Sequence, residues 1–306
     1  MCDTLVALGA ATEHGSTLFA KNSDRPPDEE QILIWSPPRV DEVSLRTTHI
    51  EIAAHVGHSL GCLLSTPRWG WGAEHGVNEA GVAIGNEAIY TTLDPRSAPP
   101  ALTGMDLVRL GLERATRAPD AVQVMIDLLE RYGQGGTGHD PAGAQGAKAY
   151  WSSFLIADPS CAFVLETSGR QWAVEAVEDV RAISNRTTIA EFDAAVRHPG
   201  QPVADLVDPR WDASNRVLAV RPVTRASLMA HLRSHDSCAV PGWSVCMHGT
   251  DRAGRLVETT TASIIAELAV TGTPRAWALI GQPCVQEYVE LPVSADAASL
   301  VNPSGR

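Results

Sequence analysis

The fold is decided by residues 1–25, MCDTLVALGAATEHGSTLFAKNSDR. Thr4 to Ala10 is a short apolar run, Thr17 to Lys21 is a second one, and a glycine-containing turn separates them. This pattern predicts a β-hairpin at the start of the chain. The second strand would lead into a polar loop over residues 22–28, and the hairpin would bring residues 21–25 back beside Cys2.

Cys2 directly follows the initiator methionine. Aminopeptidases remove methionine when the next side chain is small, and Cys2 would then carry both a thiol and a free α-amine. An α-amine with a pKa of roughly 7.7–8.0 is partly a free base near neutral pH and can accept the thiol proton. Nucleophile and base would then belong to one residue. The alternative is that Cys2 is a small core residue at the start of a strand.

The segment KNSDR, residues 21–25, supplies the charges that such a nucleophile needs. A developing thiolate favours a nearby cation, which Lys21 or Arg25 can provide. Asp24 can accept a hydrogen bond from the terminal amine. The alternative interpretation is a solvated turn that carries charges of both signs.

The rest of the chain predicts strands, two helices and then more strands. The helices begin at Thr103 and Pro119, where apolar residues recur at helical spacing, and a glycine-rich loop follows at 133–146. Later strands are predicted at 152–157, 162–166, 171–177, 260–268 and 276–280, and a short helix at 225–233. This order favours an α+β fold with antiparallel sheets over a doubly wound parallel sheet. Without a linker or repeat, we expect a single domain over residues 1–306.

Composition narrows the class of function. The 306 residues are 44% hydrophobic, which allows a large core, and the net charge of -12 argues against binding to nucleic acid. No apolar run is long enough to span a membrane, and the N-terminus lacks the features of a signal peptide, so we expect a cytoplasmic protein. Six cysteines without a C-x-x-C pair indicate reduced thiols. We expect no metal or organic cofactor, a small-molecule or dipeptide substrate, and leave homo-oligomerisation open.

Five segments resemble one family. Residues 1–4 (MCDT) and 19–25 (FAKNSDR), with residues 71–88 (WGAEHGVNEAGVAIGNEA), are similar to the secernin and dipeptidase family of cysteine peptidases. The shorter segments 183–185 (ISN) and 244–249 (SVCMHG) also resemble it. This family is related to penicillin V acylase and bile salt hydrolase. The resemblance implies the N-terminal nucleophile hydrolase fold, a four-layer αββα sandwich of two antiparallel sheets.

The resemblance also implies roles for individual residues. Cys2 would be the nucleophile, with Lys21 beside it and Asp24 in contact with the amino group. Asn86 would donate its side-chain amide to the oxyanion. Asn185 would hold the terminal amine or the substrate carbonyl.

Further residues are predicted to line the site. Trp69, Trp71 and Glu87 are the residues expected to contact substrate. Related acylases carry a late arginine near the nucleophile, for which Arg252 and Arg255 are the candidates here. The chain is shorter than typical secernins and dipeptidases, which is expected to change the substrate pocket.

Other interpretations stay open at this point. The same thioester chemistry would serve a dipeptidase or an acylase or acyltransferase acting on a small metabolite. A catalytically silent binding protein on the same fold would retain Met1. Cys246 and His248 share one face of a strand and could form a thiol–imidazole pair, and with His75 they could bind a metal.

Overall fold

The computed structural model describes residues 1–40, 43–236 and 240–301. The strands are β1 Cys2–Ala7, β2 Thr17–Arg25, β3 Gln31–Ser36, β4 Ser44–Arg46, β5 Glu51–Ala53, β6 Cys62–Pro67, β7 His75–Asn78, β8 Ala83–Ile89, β9 Trp151–Ala157, β10 Ala162–Ser168, β11 Gln171–Val177, β12 Val180–Ile183, β13 His248–Thr250, β14 Leu256–Leu268, β15 Arg275–Ile280 and β16 Val289–Pro292. The helices are α1 Gly104–Arg114, α2 Ala118–Tyr132, α3 Ala190–Val196, α4 Val203–Leu206, α5 Asp208–Ala219, α6 Arg225–Leu232 and α7 Ala298–Val301.

Two large antiparallel sheets form the centre of the molecule. The first sheet has the order β12-β1-β2-β14-β15-β16, and β13 also pairs with β14. The second sheet has the order β11-β10-β9-β8-β7-β6-β3. Many consecutive strands, such as β9, β10 and β11, lie side by side, as expected when short connections join antiparallel neighbours.

The predicted N-terminal hairpin is present. β1 pairs with β2 so that Cys2 lies opposite Ser23 and Thr4 lies opposite Lys21. The prediction that a polar loop begins at residue 22 is wrong, because β2 continues to Arg25. The reason is a non-local partner: β14 pairs along the other edge of β2 and satisfies its backbone hydrogen bonds.

Three apolar clusters define four layers. One lies between the two sheets and includes Phe19, Leu155 and Ile264. Another joins the outer face of the second sheet to α1 and α2, and the third joins the outer face of the first sheet to α5 and α6. The layers are therefore helix, sheet, sheet and helix, and the expected α+β sandwich is confirmed.

The two long central helices form where their capping residues predict. The Thr103 hydroxyl accepts a hydrogen bond from the Asp106 backbone nitrogen, and the Asp106 carboxylate accepts one from the Thr103 backbone nitrogen, which is a capping box. In α2, Pro119 lies in the first turn, and Gly133 ends the helix at a φ of 79°. Among the described residues, no helix combines the length and apolarity needed to cross a membrane.

The two sheets approach closely at one glycine. A side chain at Gly85 on β8 would place its Cβ 2.7 Å from Lys21 Cδ and 3.0 Å from Thr4 Oγ1 on the facing sheet. Only a residue without a Cβ fits this space. Gly85 therefore brings the polar residues of β2 and β8 together between the sheets.

Candidate active site

Cys2 lies at the first position of β1, where the N-terminus of the chain enters the first sheet. The residue is only 4% exposed. Its backbone nitrogen donates a 2.7 Å hydrogen bond to Asn185 Oδ1, and Asn185 Nδ2 donates to Ala88 O at 2.9 Å. Asn185 thus connects the backbone nitrogen of Cys2 to the second sheet.

Lys21 is fully buried beside the nucleophile. Its Nζ contacts Glu87 Oε1 at 3.3 Å, and Thr4 Oγ1 donates to the same oxygen. Burial acts to lower the pKa of Lys21, but the neighbouring Cys2 and Glu87 outweigh it and the pKa is raised. Lys21 is therefore a cation at neutral pH, held between the sheets.

Glu87 does not lie where the sequence analysis places it. We expected it to contact substrate, but it is fully buried and makes its contacts with Lys21 and Thr4. Burial raises its pKa to about 7, against the lowering effects of Lys21 and Thr4. Glu87 is thus a positioning residue for Lys21, because strands β2 and β8 face each other at this point.

The thiol itself is in an environment that favours the protonated form. Burial raises the pKa of Cys2 to about 12, although Lys21 and the Met1 ammonium lower it. The thiolate is the reactive form of cysteine. Cys2 therefore needs a base at close range to react near neutral pH, and the lysine alone does not supply one.

Met1 holds its ammonium in a polar recess next to Cys2. The ammonium nitrogen lies 2.5 Å from Glu258 Oε1 and 3.2 Å from the backbone oxygen of Asp24. Burial acts to raise the pKa of Glu258, but the adjacent ammonium outweighs it and the pKa is lowered. The recess therefore binds an α-ammonium group in the unprocessed chain.

Asp24 lies beside this recess and is also buried. Its Oδ1 accepts a 2.7 Å hydrogen bond from Thr260 Oγ1, while Oδ2 has no partner among the described residues. Burial raises the pKa of Asp24 to about 7, and the Met1 ammonium and Arg210 oppose this rise. Its carboxylate is thus within electrostatic reach of the Met1 ammonium.

Asn86 projects from β8 in the second sheet and is 1% exposed. Within the described chain, the oxygen of its side-chain amide has no hydrogen-bond partner. Tyr150 lies close to both Cys2 and Asn86: burial raises the pKa of its phenol, the charge of Cys2 adds to this, and a hydrogen bond with the Asn86 side chain opposes it. Asn86 is therefore a buried amide beside Tyr150.

Arg210 is the buried arginine of the site, and the sequence analysis missed it. Its guanidinium donates to Cys2 O at 3.2 Å, to Asn185 Oδ1 at 3.0 Å and to Asp3 Oδ2 at 2.5 Å. It lies on α5, a helix that was not predicted because its sequence is polar and its start has no side-chain cap. The expected candidate Arg255 is exposed and pairs with Asp251 in its own turn.

Arg25 and Trp69 belong to a separate network. Arg25 pairs with Glu29 at 2.9 Å and with Glu74 at 2.5 Å, so its charge is neutralised by two carboxylates. Trp69 Nε1 donates to the same Glu29 at 3.3 Å. Of the two cations predicted to stabilise the thiolate, the structure therefore places Lys21 at Cys2 and holds Arg25 in its own pairs.

Trp71 is half-buried, and its ring is covered by cations. The guanidinium of Arg109 lies 4.2 Å from the ring centroid and that of Arg39 lies 5.9 Å from it. The ring also packs against the core that includes α1. The expected contact with substrate does not agree with this position, because the ring packs against protein.

A cavity of about 450 Å³ lies next to the Asn185 side of the site. Tyr90, Lys148, His198 and Gln201 are among the residues that line it. Gln201 Nε2 donates to Asn185 O at 2.5 Å, and Asn185 in turn bonds the nitrogen of Cys2. The cavity is large enough for a small metabolite or a dipeptide.

The alternative metal group of His75, Cys246 and His248 is not assembled. His75 is buried and its Nδ1 lies 3.0 Å from Ser23 Oγ, and burial, with the charge of Lys21, keeps its pKa well below the usual range. Cys246 Sγ does lie 3.6 Å from His248 Nε2, although Cys246 precedes β13 and does not share a strand with His248. These two residues lie in a group that does not include His75.

Comparisons with known proteins support the fold. No protein-family model matches the chain. Two solved structures of variants of conjugated bile acid hydrolase from Clostridium perfringens are similar: one at a TM-score of 0.53 and 12% identity, covering 95% of this chain and 96% of that one. The other has a TM-score of 0.53 and 13% identity and covers 94% of this chain and 96% of that one. At this identity the likeness shows the fold alone, a four-layer sandwich of two antiparallel sheets between helices.

Proposed function

We propose that this chain is an N-terminal nucleophile cysteine hydrolase that cleaves a peptide or other amide C–N bond through an acyl-enzyme on Cys2. The observation that carries the proposal is a buried thiol beside a buried cation, Cys2 and Lys21 on the first sheet, with the buried amide of Asn86 on the second. The fold shared with a conjugated bile acid hydrolase supports the same chemistry. A cytoplasmic location, assembly into homo-oligomers and the secernin-like subfamily stay predictions.

Removal of Met1 starts the reaction in this proposal. The new α-amine of Cys2 then takes the thiol proton, and the thiolate attacks the substrate carbonyl. Lys21 stabilises the thiolate, which offsets the burial that raises the pKa of the thiol. Asn185 holds the amine through the 2.7 Å contact of Cys2 N, so the base keeps its orientation.

The oxyanion forms where Asn86 can donate. A side-chain amide at this position contributes about 3–4 kcal/mol to transition-state stabilisation in other hydrolases. The Cys2 ammonium next gives its proton to the leaving amine, and the C–N bond breaks. Water, activated by the same amine, then hydrolyses the thioester and restores the thiol.

The recess around Glu258 favours a peptide substrate over an acyl amide. It binds the Met1 ammonium at 2.5 Å, and it would be free to bind a substrate ammonium after Met1 is removed. Lys148, at the wall of the neighbouring cavity, could pair with a carboxylate. Together these charges match a dipeptide, whereas an acylase would need an apolar pocket for the acyl chain.

The first test is intact mass before and after reaction with a thiol-directed electrophile. We expect loss of the mass of methionine and one fast adduct on Cys2. The Cys2→Ala variant should lose this adduct, and the Cys161→Ser variant should keep it. Retained Met1 together with an unreactive Cys2 would contradict the proposal and favour a silent binding protein on this fold.

A substrate screen then separates the two hydrolase alternatives. Dipeptides and acyl amides are compared with wild type and with Glu258→Gln. For a dipeptidase, the Glu258→Gln variant should raise KM for dipeptides and leave slow acyl-amide cleavage unchanged. Faster cleavage of acyl amides by wild type, with no effect of this variant, would favour the acylase.

A further inference from the structure

Four metal-binding side chains converge at the edge of the first sheet. They are His235, Cys246, His248 and Cys284, which we call the edge cluster. One ligand atom from each of the four lies within 4.8 Å of the other three. Both sulfurs point to the same nitrogen: His248 Nε2 lies 3.6 Å from Cys246 Sγ and 3.4 Å from Cys284 Sγ. The rings of His235 and His248 have their centroids 5.0 Å apart.

These four residues come from three separate parts of the chain. His235 follows α6, Cys246 precedes β13, His248 begins β13, and Cys284 lies between β15 and β16. Ligands that are distant in sequence but close in space cannot be found from spacing rules, and this sequence has none of the usual zinc patterns. The convergence is visible only in the folded chain.

Backbone contacts hold two of these segments together without help from the cluster. Asn22 Nδ2 donates to Leu232 O and to Val245 O, both at 2.9 Å, and so joins the segments that lead to His235 and Cys246. The Cys246 backbone nitrogen also donates to Ser234 O at 3.0 Å. The fold thus places the ligands before any ion binds.

The position of His248 is fixed by a tight turn. The His248 backbone nitrogen donates to Gly242 O at 2.7 Å, and Gly242 has a φ of 82°. A Cβ at Gly242 would lie 2.3 Å from His248 O, so only glycine fits. This turn orients His248 so that its Nε2 faces the two sulfurs.

The spacing of the ligand atoms fits a tetrahedral ion. With Zn–S near 2.3 Å and Zn–N near 2.0–2.1 Å, tetrahedral geometry places a sulfur and a nitrogen about 3.6 Å apart. The two measured sulfur–nitrogen distances are 3.6 and 3.4 Å. One ion among the four atoms would therefore need only small side-chain adjustments.

We propose that the edge cluster is a structural Cys2His2 zinc site. Two thiolates and two imidazoles are donors that suit zinc, whereas magnesium and calcium prefer oxygen. Four protein ligands fill a tetrahedral ion and leave no open position, which is typical of structural zinc. Binding replaces the protons of Cys246 and Cys284, so one Zn²⁺ enters as two H⁺ leave, and no redox step is involved.

The same atoms could serve two other purposes, which the test must separate. A Cys246–His248 catalytic pair would need a carboxylate at Nδ1 to orient the imidazole, whereas the ring that packs against His248 is that of His235. A Cys246–Cys284 disulfide would remove both thiol ligands. The proposal does not depend on the chemistry of Cys2, because the two thiol sites share no residue.

The experiment uses the full chain, purified with a reductant, treated with a chelator and then given Zn²⁺ alone. Bound zinc is measured by elemental analysis, and the affinity by competition with a chromophoric chelator. We expect one zinc per chain, a higher Tm with zinc, and thiolate-to-metal absorption when Co²⁺ replaces Zn²⁺. Cys284→Ser and His248→Gln should each weaken binding by more than the roughly 10–100-fold typical of losing an outer-shell partner.

Two controls keep the result interpretable. Cys161→Ser and Cys2→Ala should both keep full stoichiometry and affinity, because these thiols lie outside the edge cluster. The metal-free Tm of Cys284→Ser should equal that of the metal-free wild type, which shows that the variant is folded. Equal zinc binding by wild type and Cys284→Ser, or a Cys246–Cys284 disulfide that persists in reductant, would overturn the proposal.

Discussion

The two thiol-containing regions of this molecule differ in what surrounds the sulfur. Cys2 is buried between the sheets beside the cation Lys21. The edge cluster has two sulfurs facing a single imidazole nitrogen, and His235 and Cys284 are exposed. The proposed attack on a carbonyl uses a single thiol beside a cation. The proposed zinc site uses two thiols and two imidazoles that converge on one point.

The largest expected effect separates these two regions directly. Cys2→Ala should reduce kcat by about 10⁵–10⁶, as loss of the nucleophile does in serine hydrolases, while zinc stoichiometry stays unchanged. The measurement is steady-state kinetics on the substrate found by the screen. Cys161→Ser is the matched control and should keep wild-type activity. Residual activity of Cys2→Ala near the wild-type level would move the nucleophile elsewhere.

The second effect tests Asn86 as the proposed oxyanion donor. Asn86→Ala should lower kcat by about 10²–10³ with little change in KM, because the donor acts on the oxyanion and not on the bound substrate. Asn78→Ala serves as a contrast, since Asn78 uses its amide to hold Leu112 O and Ala115 O. That variant should lose stability more than kcat. A wild-type kcat for Asn86→Ala would exclude the oxyanion role.

The third effect concerns the buried ion pair of the catalytic region. Lys21→Met leaves Glu87 buried without its cation and should cost about 3–5 kcal/mol in the free energy of unfolding. The double variant Lys21→Met/Glu87→Gln should recover much of this loss, because no charge is left unpaired. Urea denaturation of the two single variants and the double variant measures the coupling. Purely additive effects would contradict direct pairing of the two side chains.

The smallest effect is a pH dependence. The pKa of Glu87 is raised from 4.5 to about 7 by burial, so the folded chain keeps a proton that the unfolded chain loses. Its stabilising contribution is complete below pH 4.5 and is lost as the pH rises to about 7. Glu87→Gln should therefore remove up to about 1.4 kcal/mol per pH unit from the slope of unfolding free energy in this window.

The exposed Glu191 on α3 gives a control of equal charge. Glu191→Gln should leave that slope as it is in wild type, because the residue is exposed in the folded chain as it is in the unfolded one. Denaturation at a series of pH values measures all three proteins. An unchanged slope in Glu87→Gln would show that Glu87 ionises normally in the folded chain.

The comparison also shows which features could be predicted from sequence. The β1–β2 hairpin could be predicted, because apolar runs and a turn are local signals. The placement of Lys21 near Cys2 could be predicted with it. The continuation of β2 to Arg25 could not be predicted, since it depends on pairing with β14 more than two hundred residues later. The same holds for the edge cluster, whose ligands come from three segments.

The candidate site residues also include some that the sequence predicts and some that it does not. Lys21 and Asn185 are neighbours of Cys2 as the resemblance implies. Glu87 and Trp71 were misassigned to substrate, because the sequence does not show which face of the sandwich a residue occupies. Arg210 escaped attention because a buried arginine on a polar, uncapped helix leaves no periodic signal.

The position of Met1 has a practical consequence for producing the protein. Its ammonium makes a 2.5 Å contact with Glu258, which is only 7% exposed. An affinity tag fused before Met1 would turn this ammonium into a neutral amide, leave the carboxylate without its cation and prevent the trimming that exposes Cys2. In the proposed mechanism, recombinant protein with such a tag would be inactive because the amine of Cys2 is blocked. Tags therefore belong at the C-terminus, or must be cleaved directly before Cys2.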